Sequence, residues 1–334
     1  MSFLPRSLLA ALILGLAPPS HAAVQDAPAP VVGFRMASVP DPSGAPVEVG
    51  VWYPARGIAE PRRLESFVEQ VASDAPVAGD RLPLVVISHG NGGSFTSHLD
   101  TAMALARAGF VVAALTHTGD NYRDQSRATD MANRPRQLAL LIDYMLAAWP
   151  EHAHIDPARI GAFGFSSGGF TVLALAGGEP DLGAMIGHCR AHPANYDCLL
   201  LAKVPPTVHA APVWIHDRRV KAVAAAAPAL GFAFGPEGLK GISAPVQLWR
   251  AADDHVLPDP DYATAVRRDL PAPPEYHVVE GADHYDFLAP CSAILEASAP
   301  AICRSGPNFD RAGFHAAFNQ AVAAFFRAQL GKRD

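Results

Sequence analysis

Gly164-Phe165-Ser166-Ser167-Gly168 reads G-x-S-x-G. It follows Arg159-Ile160-Gly161-Ala162-Phe163, an apolar run that predicts a buried strand. It precedes Gly169-Phe170-Thr171-Val172-Leu173-Ala174-Leu175-Ala176, small and apolar, which can start a helix. A sharp strand-to-helix turn needs residues without bulk on both sides of the serine, and glycines at minus two and plus two supply that room. Only Ser166 has both, so Ser166 is the expected nucleophile and Ser167 its neighbour.

A serine is a weak nucleophile unless a base takes its proton. The chain order that goes with this turn is Ser, then Asp or Glu, then His. Downstream, Pro245 to Arg250 reads as a buried strand that runs into Asp253-Asp254-His255. Glu275 to Glu280 reads as another, ending in Gly281-Ala282-Asp283-His284. Acid and histidine thus fall just past strand ends, on the carboxyl edge where sites of such sheets assemble. His284 is the expected base. Asp253 and Asp254 are both candidates for its partner, and Asp283 and Asp286 are weaker ones whose plain role is loop solvation.

Upstream, strand Leu84 to Ser88 meets His89-Gly90-Asn91-Gly92-Gly93-Ser94. A Gly-rich loop there, placed after the third strand, lets a backbone N–H approach a substrate carbonyl oxygen, with the residue after the nucleophile as second donor. Those donors would be the amides of Asn91 and Ser167. His89 reads as a hydrogen-bonded core histidine that shapes the loop and takes no part in proton transfer.

With these parts in view, the chain resembles the α/β-hydrolase superfamily. It is similar above all to the dienelactone-hydrolase-like and platelet-activating-factor-acetylhydrolase-like serine esterases, from Val32 to Leu330. The resemblance rests on Val51-Trp52-Tyr53-Pro54, Ser88-His89-Gly90, the Gly164 to Gly168 stretch, Asp254 through Pro258, and His284-Tyr285-Asp286-Phe287-Leu288. It favours Asp254 over Asp253, through the Asp-x-Val-x-Pro pattern. It implies cleavage of small carboxylic esters by a Ser-His-Asp triad through an acyl-enzyme, with no cofactor. Dienelactone hydrolases proper carry cysteine where this chain has Ser166, which points away from dienelactone as substrate. The same triad would serve a phospholipid, polyester, amide or peptide hydrolase. A binding protein with a dead site is the remaining reading, weakened because every catalytic part is present.

The 334 residues carry a net charge of −6 and no basic patch, which argues against nucleic acid as partner. Half the residues are hydrophobic, enough for a large single core. Residues 1–22 read as a signal peptide. Arg6 is the only charge before Asp26, Leu8 to Ala17 is apolar, and Ser20-His21-Ala22 supplies the small residues of a cleavage site. Residues 23–31 read as a tether and 32–334 as the hydrolase domain. The apolar run is too short to span a bilayer, so no stable membrane insertion is expected and the location would be secreted or periplasmic.

Export makes disulfides plausible for Cys189, Cys198, Cys291 and Cys303, and four cysteines allow three pairings. Nearest-neighbour pairing closes two short loops, each contributing about 3 kcal/mol at most by the chain-entropy model. His188, Cys189, His192 and Cys198 crowd together, but their spacing matches no common zinc pattern, so no metal is expected.

The remaining pattern alternates strands with helices. It predicts an α/β, mostly parallel, doubly wound sheet. Val32 to Val39 and Val47 to Tyr53 lead as an antiparallel pair around Asp41-Pro42-Ser43-Gly44, and Arg56 to Arg81 reads as an irregular polar connection. Glu179 to Arg219, rich in Pro, His and Cys with no clear strand, reads as a rigid cap insertion.

Overall fold

In the computed structural model, Met1, residues 31–206 and residues 213–331 are described. The leader and most of the tether lie outside these residues. Val31, assigned to the tether, is the first residue of β1 (Val31–Val39). β2 (Val47–Ala55), β3 (Glu60–Leu64), β4 (Phe67–Ser73) and β5 (Leu82–Ser88) follow. Then come α1 (Leu99–Arg107), β6 (Val111–Thr116), α2 (Asn133–Ala147), β7 (Ile155–Phe165) and α3 (Ser167–Leu175). Next are α4 (Ala184–Ala191), α5 (Tyr196–Lys203), β8 (Val220–Ala226), α6 (Gly235–Gly238), β9 (Val246–Ala251) and α7 (Ala263–Asp269). The chain closes with β10 (Glu275–Val279), α8 (Ala293–Ser298), α9 (Pro300–Cys303) and α10 (Arg311–Leu330).

All ten strands form one sheet in the order β10-β9-β8-β7-β5-β6-β2-β1-β4-β3. From β10 to β6 every pairing is parallel, and β2 then pairs antiparallel with both β6 and β1. β7 and β5 are central strands, and they read as continuous apolar runs because helices cover both faces. On one face Leu138, Leu141, Phe170 and Leu173 of α2 and α3 pack on the sheet. On the other, Leu99, Met103, Phe318 and Phe326 of α1 and α10 do. The β8 run Ala222, Ala224 and Ala226 leaves room for the bulky rings of α10 on that second face.

The polar stretch from Arg56 to Arg81 is not irregular. β3 and β4 form an antiparallel hairpin that extends the sheet edge. Only Leu64, Phe67, Val71 and Ala72 anchor it in the core, while Arg62, Arg63, Glu69 and Gln70 keep the rest polar. With so few apolar positions the two-residue period is hard to see. The hairpin also makes β5 the fifth strand of the chain, not the third. Its turn reaches the chain that leads into α1, where Glu65 Oε2 accepts from Ser94 Oγ at 2.5 Å and from Thr96 Oγ1 at 2.6 Å. The 179–219 insertion holds α4 and α5 and no strand among its described residues.

The Asp41 turn between β1 and β2 is tied to α2. Arg136 donates to both Asp41 oxygens at 2.7 Å, and Ser43 N–H donates to Oδ1 at 2.8 Å. The Arg136 hydrogen bond leads in lowering the Asp41 carboxyl to about 2. Its unfolded value is about 4. A depressed folded value contributes stability that is full above the unfolded value and is lost as pH falls through the folded one. We expect up to about 2 kcal/mol of unfolding free energy to disappear between pH values of about 4 and 2, from this group alone. Urea unfolding of Asp41→Asn against the parent across that range checks it, and the variant should show the shallower acid slope.

Candidate active site

Three strand ends meet. β7 ends at Phe165, and Ser166 sits beyond it at φ 54° and ψ −120°, a strained backbone for a residue with a side chain. The turn is held from both sides. Ser166 N–H donates to Ala226 O at 2.9 Å, and Ser166 O accepts from Ala229 N–H at 3.0 Å and Phe170 N–H at 3.1 Å. The two glycines of the motif are dictated by crowding. A β-carbon on Gly164 would lie 2.1 Å from Gly168 O, and one on Gly168 would lie 1.9 Å from Ser88 O.

His284 stands on the loop after β10, 2 % exposed. Its Nε2 is 3.0 Å from Ser166 Oγ and its Nδ1 is 2.8 Å from Asp254 Oδ2. Asp254, just past β9, is itself positioned by the N–H groups of Val256 and Leu257, which donate to Oδ1 at 3.0 and 2.6 Å. Asp253 is exposed. Asp283 does more than solvate the loop. Its Oδ1 accepts from the N–H of His284 at 2.7 Å and of His255 at 2.9 Å. Burial pushes its carboxyl up, but these backbone bonds prevail and hold it below the ordinary range. Asp286 is fully buried and accepts from Asp283 N–H at 2.8 Å and from the Ser305 hydroxyl. Phe165 and Phe287 are core residues behind His284, the Phe165 ring 4.7 Å from the imidazole, and Tyr285 is half-buried beside it.

The loop after β5 lies against this turn. A β-carbon on Gly90 would come 3.3 Å from Ser166 Cβ. His89 fixes the loop's peptide planes. Its Nε2 accepts the His117 N–H at 3.0 Å, so the proton is on Nδ1, which donates to Gly90 O at 2.5 Å. Carbonyl and N–H of one trans peptide point opposite ways, so holding Gly90 O inward turns the Asn91 N–H outward. Burial, with the Arg134 charge nearby, lowers His89 to about 3, which keeps that tautomer neutral. Among the described residues, no protein acceptor pairs with the amide of Asn91 or of Ser167.

Beneath the loop is a buried polar cluster that the sequence did not reveal. Arg134, 2 % exposed, donates to Asp120, to His89 O and, at 3.0 Å, to Thr171 Oγ1. Asp120 Oδ1 accepts from Asn91 Nδ2 at 2.6 Å and Gly92 N–H at 3.1 Å. His117 bridges Ser88 Oγ at 2.9 Å and Gln137 Oε1 at 2.8 Å. His98 lies edge-on to Phe163 and Phe165, lowered to about 3 by burial. Nothing local marks Arg134. An arginine in the first turn of a helix reads as a solvated side chain.

The cysteines are joined as Cys189–Cys198 and Cys291–Cys303. The first links α4 to α5, and the second braces the segment after His284. His188, also near the first bridge, stacks on Phe232 at 3.8 Å and meets Tyr262 OH at 3.2 Å.

A Ser-His-Asp array at the strand ends of a mostly parallel, doubly wound sheet is the arrangement of an α/β-hydrolase, and the fold is that one. Residues 62–138 match the family Platelet-activating factor acetylhydrolase, isoform II. That match covers the loop after β5 and ends before Ser166. NocK of Nocardia uniformis subsp. tsuyamanensis, described as a candidate esterase, is 28% identical over 134 residues, and the match spans 38% of either chain. Among solved structures, the ferulic acid esterase from Streptomyces cinnamoneus superposes with a TM-score of 0.63 at 20% identity, covering 93% of this chain and 94% of that one. The dienelactone hydrolase from Anabaena variabilis gives 0.51 at 15% identity, covering 89% and 98%.

Gly168→Ala tests the geometry of the turn. Its β-carbon would collide with the Ser88 carbonyl, so either β5 or the elbow has to move. Expected are a lowered melting temperature and a loss of Ser166 labelling by an organophosphate, of about 10²-fold or more in rate. Gly44→Ala, where a β-carbon meets nothing within 4 Å, should change neither.

Proposed function

We propose that this protein is an exported serine hydrolase that cleaves small carboxylic esters through an acyl-enzyme. The observation that carries the reading is the continuous hydrogen-bonded line from Ser166 Oγ through His284 to Asp254. In this reading His284 Nε2 takes the Ser166 proton as Oγ attacks the ester carbonyl. Asp254 keeps the Nδ1 proton in place and stabilises the imidazolium that forms. The oxygen that becomes negative is received by the amides of Asn91 and Ser167, whose hydrogens have no other described partner. His284 then protonates the leaving alcohol, and water repeats the sequence on the acyl-enzyme.

The similarity to proteins described as an acetylhydrolase, a candidate esterase and a ferulic acid esterase favours an ester. Export is supported by two disulfides, which persist in oxidising compartments. No helix among the described residues is long and apolar enough to cross a membrane. We take residues 1–22 as a removed leader, 23–30 as tether, and 179–219 as a cap on one hydrolase domain.

Ser166→Ala should lower kcat by about 10⁴-fold or more, with Ser167→Ala nearly silent because the amide survives. Asp254→Asn should cost far more than Asp253→Asn. Steady-state kinetics on p-nitrophenyl acetate decide both, and the reverse ranking of either pair would overturn the assignment.

Among its described residues the insertion bears no long apolar helix. α4 and α5 are eight residues each and are tied together by Cys189–Cys198. Such a cap does not swing open on a lipid surface as a long amphipathic lid does. Acetate and butyrate esters should therefore be cleaved well above palmitate, with no rate jump on emulsified lipid. A preference for palmitate would show the opposite.

A further inference from the structure

We infer that Tyr196, at the start of α5 in the insertion, is a positioning residue for the oxyanion donor Asn91, so that the insertion completes the catalytic centre. This rests on the esterase reading above and deepens it.

Asn91 is gripped from two directions. From below, the Asp120 carboxylate takes Asn91 Nδ2–H at 2.6 Å. From above, the Tyr196 hydroxyl donates to Asn91 Oδ1. The assignment is unambiguous, because a carboxylate only accepts. Asp120 therefore fixes which end of the amide is nitrogen, and the remaining oxygen faces a hydroxyl that donates. Burial raises the Tyr196 phenol to about 12, so the hydroxyl keeps its proton over the whole working range. Asp120 is in turn held by the buried Arg134, which also binds His89 O.

The consequence is geometric. Asn91 has a rotatable side chain on a loop rich in glycine, and a single anchor leaves its Cα free to rock about that contact. Two anchors on opposite ends of one planar amide fix the Cα, and with it the direction of the Asn91 N–H. An oxyanion donor acts through a fixed direction and distance, so its worth in the transition state depends on that rigidity. Tyr196 belongs to a different part of the chain from every other anchor of the loop. It sits two residues before Cys198, whose bridge to Cys189 ties α5 to α4. α4 is in turn seated on the body through His188, against Phe232 and Tyr262.

The test is Tyr196→Phe, which keeps the ring and deletes only the hydroxyl, followed on p-nitrophenyl acetate and with phenylboronic acid. The boronate binds Ser166 Oγ as a tetrahedral adduct that needs the oxyanion donors, whereas KM for a small substrate does not. Losing one neutral hydrogen bond of this kind should lower kcat by about 3- to 10-fold and weaken boronate affinity by the same factor, with KM unchanged. Asn91→Ala, which removes both anchors and leaves the amide, should fall further. Leu199→Ala, exposed on the same helix, should match the parent. A Tyr196→Phe enzyme with parental kcat and boronate affinity would overturn the inference. So would one altered in KM alone, because that would make Tyr196 a substrate contact. Circular dichroism and melting temperature establish that each variant is folded. Activity retained in Ser166→Ala would instead defeat the esterase reading itself.

Discussion

The carbonyl oxygen of Ser88 occupies the place where a β-carbon on Gly168 would have to be. That backbone contact joins the end of β5 to the first turn of α3, and the rest of the site hangs from it. It brings the His89–Gly93 loop beside Ser166 and leaves Ser166 no conformation but the strained one at positive φ. The strain is sustained because the turn carbonyl and amide are bonded to β8 and the chain beyond it. A strained residue persists only when its surroundings over-determine it. Here the core does so: Phe163 and Phe165 on one face of β7, and Phe170 and Leu173 of α3 on the other, are all buried.

A second constraint is electrostatic. Arg134 is a full charge under the loop, and taking one ion out of water costs several kcal/mol unless it is paired and hydrogen-bonded. Asp120 supplies the countercharge, and His89 O and Thr171 Oγ1 take further donors. The neighbouring imidazoles conform to it. Burial and the Arg134 charge keep both His89 and His117 far below their ordinary range. Neutrality allows each ring to offer one donor and one acceptor, and the loop uses both on His89. The pair is therefore a device for shaping backbone.

Much of this was legible in the sequence where a local rule dictated it. Ser166 was marked by two glycines, His284 and the Asp253-Asp254 pair by their places just after apolar runs, with Asp254 favoured by the resemblance, and the mostly parallel sheet by the apolar runs that alternate with helical stretches. The β3–β4 hairpin was not legible, because four buried residues in fourteen, two of them adjacent, leave no alternation to detect. Arg134, Asp120 and Tyr196 were not legible for a different reason. Their meaning lies in partners distant in the chain, such as Asn91 for Tyr196, and nothing beside any of them in sequence announces the contact. Asp283 reads as loop solvation in the sequence because its acceptor role toward the His284 amide is a matter of backbone direction, which composition does not carry.

The parts of the site are stabilised in proportion to how little core lies under them. Ser166 stands just past a central strand buried on both faces, held by close packing and by the backbone bonds of its turn. The segment after Ala289 and the insertion that carries Tyr196 are long excursions from the sheet, where few apolar side chains are buried. Those two excursions carry the two disulfides. Cys291–Cys303 closes the segment that returns Ser305 to Asp286, which takes the Asp283 N–H, and Asp283 in turn takes the His284 N–H. Cys189–Cys198 ties together the helices that carry Tyr196 to Asn91. A cross-link over so short a loop stabilises by at most about 3 kcal/mol, too little to decide whether the whole domain folds but ample to order a local segment. Covalent bracing thus falls where packing is thin, and a hydrogen-bond relay carries its effect inward to His284 and Asn91.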